Sequence, residues 1–398
     1  MKRMCGLTIS LVIVGLFCAS VGAASSKEPY KIGYIISQTG PGAFIGQRDL
    51  NATLAWGEEK INKLGGINGH PLKFITIDDQ SDPNKAVMAA KKLATVEKVH
   101  ALLGTCISSI GKAVAVVAEE NNIPFVANTA SEVFDHPVKY WAFRPGPVST
   151  EYNNLMYKFL AGHKVRKLAV LNHTIDLGVV GWEKIKETAS SKGFEIVAHE
   201  TYDPADTDMT AQLTKIKNSG ADGMILYGFE MAAGLAIKQA RMMGMTLPIA
   251  MPPGVAPGIL KANGKYFAQE PAVGIVMTIA DVLPQTPDSN PFKAIMTEQY
   301  NLITEKHPGT MFSVFEAYSI HCLMLLADAM KRANPEPSNL KATRVAIRNA
   351  LENTKNFKGS LGYVNMSPND HRGNASEEIL CVVNWKEEGG FKLWQQLK

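Results

Sequence analysis

From residue 30 onward short apolar runs alternate with longer amphipathic stretches, and no other feature narrows the possible folds as much. YKIGYII (30–36), PLKFITID (71–78), VHALLG (99–104) and IPFVAN (123–128) have the length and content of strands. AFIGQRDLNATLAWGEEKINKL (43–64), PNKAVMAAKKLATVE (83–97) and SSIGKAVAVVAEENN (108–122) between them carry helical spacing. Alternation at this spacing gives a parallel sheet covered by helices on both faces. The unit INKLGGINGHPLKFITIDDQSDPNKA (61–86) contains the punctuation such a fold needs. Gly65, Gly66 and Gly69 end one helix in left-handed conformations and turn the chain into the next strand. Ser81 and Asp82, ahead of Pro83, read as the cap and first turn of the following helix.

RPGPVST (144–150) interrupts the series and reads as a linker. A second alternation follows it: strands in VRKLAVLN, FEIVAHETYD, ADGMILYG, LPIAM and PAVGIVMTI, and helices near 178–191, 208–218, 231–243 and 256–262. Beyond DVLPQTPDSNP come helices near 290–305, 312–332 and 338–352, then two strands, KGSLGYVNM and EEILCVVNW. The expected fold is α/β, with two lobes around parallel central sheets, joined by more than one crossover.

The chain opens MKRMCGLTISLVIVGLFCASVGAASS, which is two basic residues, an apolar run from Leu7 to about Ala19, and small residues suited to cleavage. This predicts a secretory signal peptide over residues 1–24. The run is shorter than the roughly 20 residues of a membrane-spanning helix, and Leu16 and Phe17 argue against lipid attachment at Cys18. The predicted location is therefore the periplasm. Removing Lys2 and Arg3 takes the formal charge from +4 to +2, and without a basic face nucleic acid is not an expected partner. Cys106, Cys322 and Cys381 remain, odd in number and widely spaced, so each reads as a small buried residue.

TGPGAFIG (39–46) sits between a strand and a helix like a dinucleotide fingerprint, but its third glycine falls one residue late, at Gly46. A glycine loop that lets the backbone approach a ligand or the facing lobe is the favoured reading. There is no G-x-S-x-G elbow, P-loop or H-E-x-x-H; the nine histidines are scattered, His321 reading as core and His371 as part of an exposed turn. Asp78 and Asp79 read as strand-end residues that cap the next helix or touch the facing lobe. No metal or cofactor is expected. GTCISSIGKAV (104–114) places Ser108 and Ser109 after a strand and at the start of a helix, where hydroxyls and amides can hold a carboxylate or phosphate; equally, one serine could simply cap the helix. ANTASEV (127–133) would set Ala130 and Ser131 beside Ser108 at the carboxyl edge of the same sheet, where open parallel sheets bind ligands.

With these motifs in view, the chain resembles the periplasmic solute-binding proteins of branched-chain amino acid type ABC transporters. KIGYIISQTGPGAFIG, the 61–86 unit, GTCISSIGKAV and YGFEMAAGLAIKQARMMGM carry the likeness over essentially the whole mature chain. It implies a type I periplasmic binding protein with two Rossmann-like lobes, one of residues 28–146 and 280–358 and one of 147–279 and 359–398. It also implies three hinge strands, near 144–148, 277–282 and 357–362. The same resemblance implies that Ser108, helped by Ala130 and Ser131, holds a ligand carboxylate, that Phe44 or Ile45 covers it, and that Leu177, Phe229 and Glu230 approach from the second lobe. Pro253 stands where amino-acid binders carry an acid for the ligand ammonium, and Leu177 where a tyrosine is common. An unpaired buried charge costs several kcal/mol, so the ligand expected is an aromatic or aliphatic carboxylate rather than an amino acid, with Glu230 as the acid that could reverse that preference. The expected role is capture by a monomer that closes at its hinge and docks on a membrane permease, with no bond made or broken. A sensory amino-acid or amide module and an exported enzyme are the alternatives; the enzyme lacks a visible nucleophile.

Overall fold

The computed structural model describes residues 27–129, 137–228, 230–254, 257–310, 312–373, 379–386 and 389–394. The predicted signal peptide, Ala130, Ser131 and Phe229 lie outside the described residues.

The first lobe follows the predicted alternation. β1 (Tyr30–Ile36), α1 (Ala43–Trp56), β2 (Leu72–Asp78), α2 (Pro83–Thr95), β3 (Ala101–Gly104), α3 (Ser108–Glu120), β4 (Phe125–Val126) and β5 (Ala142–Phe143) build a sheet of order β2-β1-β3-β4-β5, all pairs parallel. Helical spacing on α2 brings Ala86, Ala89, Ala90 and Leu93 onto the sheet, and α3 does the same with Ile110, Val114 and Val117. Asp82 caps α2 by accepting from Asn84 and Lys85 amides, with Pro83 as its first residue. Gly65, Gly66 and Gly69 all have positive φ.

Chain passage out of this lobe begins after β5. Arg144, completely buried, donates to the Gly146 and Pro147 carbonyls. α4 (Ser149–Gly162) then starts the second lobe, with β6 (Lys167–His173), α5 (Asp176–Thr188), β7 (Glu195–Tyr202), α6 (Thr210–Asn218), β8 (Gly223–Tyr227), α7 (Glu230–Met242), β9 (Ile249–Met251), α8 (Pro257–Ala268) and β10 (Gly274–Thr278). The chain leaves the second sheet at Thr278, whose side chain caps a short 3-10 turn together with Asp281. α9 (Lys293–Lys306), α10 (Val314–Ala333) and α11 (Leu340–Glu352) return to the first lobe, α10 lying along α1 and Arg344 of α11 bonding the Ala94 and Val99 carbonyls.

The ends of the fold depart from expectation. KGSLGYVNM forms not one strand but a hairpin, β11 (Phe357–Gly359) and β12 (Gly362–Val364), which sits on α10 through the bond from Ser360 to the Ala317 carbonyl. The turn-rich run behind it is not a solvent-exposed turn either. His371 is buried, stacks on Phe143 at 4.2 Å and meets the Lys139 and Ala142 carbonyls. The chain is thus still bonded to the first lobe at His371, beyond the crossing expected near 357–362. β13 (Leu380–Trp385) and β14 (Phe391–Leu393) complete the second sheet, whose order is β14-β13-β10-β9-β8-β6-β7; its centre is parallel and β13 and β14 are antiparallel.

Candidate functional site

The first loop is held in place before any ligand contact is made. Asp78 accepts from the Gln38 and Thr39 amides and from the Thr39 hydroxyl. Asp79 accepts from the Ser37 hydroxyl at 2.5 Å and from the Ser81 amide. Burial acts to raise the Asp78 pKa, and the hydrogen bonds from Thr39, Gln80 and Gln38 outweigh it, so the carboxyl lies below its ordinary range. Ser81 bonds the Gly42 amide and the Thr39 carbonyl. Gly46 places the first turn of α1 directly on β1: a Cβ there would lie 1.9 Å from the Ser37 carbonyl oxygen. The glycine loop thus packs tightly on β1 and is clamped by the paired aspartates, while its Pro41 and Gly42 line the cavity between the lobes, as a loop that brings backbone close to a ligand would.

Between the lobes lies a cavity of ≈ 170 Å³. Ile45, Cys106, Ile107 and Ser108 line it from the carboxyl ends of the first sheet; Val314, Phe315 and Tyr318 line it from α10; Tyr152, Ile175, Leu177, Pro204, Pro253 and Gly254 face them from the second lobe. Ser108 is the first residue of α3, and the cap position belongs to Ile107, which has no side chain that can serve as a cap. The simple capping role is thereby removed from Ser108. Ser109 follows it in the helix without lining the cavity. Phe44 also stands back from the cavity wall, edge-on to Phe315 at 6.0 Å. Glu230 opens α7.

Three features were missed by sequence reading. Asp49, on the buried stripe of α1 with Gly46, Ala52, Thr53 and Trp56, lines the cavity and is completely buried. Asn128 donates to its Oδ2 at 2.7 Å. Burial first, then the negative charge of Glu316, pushes the Asp49 carboxyl well above the ordinary range, against the opposing effects of Arg48 and Asn128. Arg48 itself binds Glu316 with two nitrogens, at 2.5 and 2.9 Å, and donates to Ser313. A charged residue type on an apolar helical stripe was the available signal for Asp49. The contribution of α10 had no local signal, because it depends on where a distant helix docks. His173 ends β6 with a pKa lowered by burial to about 4, and its neutral ring accepts from the Ile175 amide, fixing a residue of the cavity wall.

Cys322 and Cys381 are buried as expected, and all three cysteines are free thiols, Cys106 being a cavity residue. Among the described residues no group of acids, histidines and cysteines could hold a metal ion.

A two-lobed α/β fold with an apolar cleft at the sheet edges defines a class of binding proteins, and the comparisons give it a family. The sequence profile described as "Periplasmic binding protein" matches residues 29–389, and the chain belongs to that family. It is similar to the leucine-, isoleucine-, valine-, threonine-, and alanine-binding protein of Pseudomonas aeruginosa, 25% identical over 390 residues and 97% of each chain. An extracellular ligand-binding receptor from Rhodopseudomonas palustris HaA2 superposes with a TM-score of 0.82 at 24% identity, covering 92% of this chain and 100% of that one. A leucine binding protein from Thermotoga maritima gives 0.77 at 21%, covering 91% and 97%. The fold is the type I periplasmic binding protein fold, and the chain is an extracytoplasmic solute-binding protein of the ABC transporter class, not an enzyme. No helix among the described residues is long and apolar enough to cross a membrane.

Proposed function

We propose that this protein, exported with residues 1–24 as a cleaved leader, captures a small carboxylate with an aromatic or aliphatic body and hands it to a membrane permease. The observation that carries this reading is the make-up of the cleft. Ser108 and the start of α3 supply uncharged donors for an anion, and the surrounding wall of Ile45, Ile107, Leu177, Val314 and Phe315 is apolar. A volume of ≈ 170 Å³ lies below the roughly 300 Å³ of drug-sized pockets and suits a molecule of one ring or a short chain. Pro253 lines the cleft with no charge to offer an ammonium. Carboxylate binding to the first lobe followed by rotation of the second would bury the ligand and favour the closed form by differential contacts.

The second reading is an aliphatic amino acid. It is favoured by the Pseudomonas relative named for leucine, isoleucine, valine, threonine and alanine. A Streptococcus pneumoniae homologue of 19% identity, solved with isoleucine, has the same fold. A thermal-shift screen of benzoate, substituted benzoates, short fatty acids and the branched-chain amino acids separates the two, because a ligand raises stability as RT ln(1 + [L]/Kd). The proposal expects aromatic or aliphatic acids to raise the melting temperature; shifts with amino acids alone would overturn it. Mass spectrometry of the exported protein checks the predicted leader, the expected mature chain beginning after Ala23 or Ala24.

A further inference from the structure

Asp49 is the only acidic or basic residue among the described residues that line the cleft. Its Oδ2 is occupied by Asn128, and its Oδ1, fully buried, has no hydrogen-bond partner among the described residues. A buried polar atom left without a partner is destabilising, and a ligand in the cleft would supply the partner. The groups that face this carboxyl are Tyr34 of β1, Arg48 beside it on α1, Cys106 before α3, and Glu316 and Cys322 of α10. Arg48 and the Asn128 hydrogen bond favour a negative charge there, burial and Glu316 outweigh them, and the Arg48 guanidinium is already committed to Glu316 and Ser313. Tyr34, Cys106 and Cys322 are driven by burial toward their neutral forms. With Asn128 donating to Oδ2, the proton of a neutral Asp49 belongs on Oδ1, the oxygen that lacks a partner.

We infer that Asp49 is a ligand-binding residue that meets the cleft as a neutral carboxylic acid, its Oδ1 hydroxyl donating to a carboxylate oxygen of the captured acid. The inference rests on the reading of this cleft as the carboxylate site. A buried acid kept neutral in an apolar setting is an effective donor, and an O–H donor to a carboxylate makes a short, strong hydrogen bond. Capture of an anion then needs no cationic side chain in the cleft. A ligand ammonium would need the opposite state, an ionised Asp49.

The test compares the wild-type protein with Asp49→Asn, which keeps an acceptor toward Asn128 and a donor toward the cleft, and with Asp49→Ala, which keeps neither. Infrared difference spectra at pH 7 without ligand are expected to contain a protonated-carboxyl band that Asp49→Asn loses; absence of that band overturns the inference. In calorimetric titrations with benzoate, Asp49→Asn is expected to stay within about threefold of wild type and Asp49→Ala to weaken by about tenfold or more. Equal losses in both variants, or no loss in Asp49→Ala, overturn it, as does L-leucine binding that Asp49→Asn abolishes. If no acid binds the wild-type protein, the carboxylate reading and its Asp49 contact fail together, whereas a protein that binds benzoate without the infrared band loses only the Asp49 inference. Thermal melts of both variants identify any loss due to unfolding.

Discussion

Ser108 and Asp49 represent two kinds of cleft-lining residue that differ in how far local sequence reveals them. Ser108 was legible because a strand, a polar turn and a helix start are contiguous, and the structure leaves it at the cleft free of the capping role. Asp49 was legible in principle, as one acid on the buried stripe of α1, but its environment is made by Asn128 and Glu316, which no local pattern brings together. His371 was misread for the same reason: a polar turn suggests water, while its ring lies against Phe143 from the far end of the chain. Replacing Ser108 by Ala is expected to weaken the binding of benzoate-type acids by about tenfold, the worth of one hydrogen bond to a charged group. Calorimetry measures that loss, and thermal melts are expected to remain at the wild-type value because Ser108 caps nothing.

Helices and strands were readable from periodicity, and the start of α2 agrees with its capping residue, Asp82. What the sequence could not supply was the docking of α10 along α1, and hence the Val314–Phe315–Tyr318 wall of the cleft. Contact between elements also decides Gly46, where a methyl group would strike the Ser37 carbonyl. Gly46→Ala is expected to destabilise the protein by roughly 1–3 kcal/mol, as overpacking does, measured by denaturant unfolding. Asp281 sits in the turn by which the chain leaves the second sheet, accepting from the Thr278 amide and hydroxyl. Burial pushes its pKa to about 7, with Glu316 adding to the rise and Thr278 and Arg48 opposing it. Between the ordinary carboxyl value and that one the native state holds the proton more tightly than the unfolded chain. Its stabilisation is therefore complete at low pH and lost as pH rises from about 4 to about 7. Asp281→Asn is expected to flatten that decline by up to roughly 3 kcal/mol between pH 5 and pH 8, read from urea unfolding at the two values. Asp49 titrates in the same sense, so part of the slope persists.

At the scale of the molecule, two sheets flank one cleft, and the segments joining them include the buried Arg144 and the cap at Thr278. Tyr318 bonds the Thr129 carbonyl and packs where a side chain on Gly146 would collide with it, tying α10 to the first crossing. The alternating pattern carried the two-lobed plan from the outset. The last crossing was harder to read, because the hairpin and His371 return to the first lobe through contacts far apart in sequence. Hinge capture predicts a smaller radius of gyration by X-ray scattering when a ligand from the thermal screen is saturating, and an unchanged radius would oppose it. The most direct test is a crystal structure with that ligand. Intact ligand between Ser108, Phe315 and Leu177, its carboxylate toward α3, is the predicted result; an empty cleft with the ligand bound elsewhere would contradict the account.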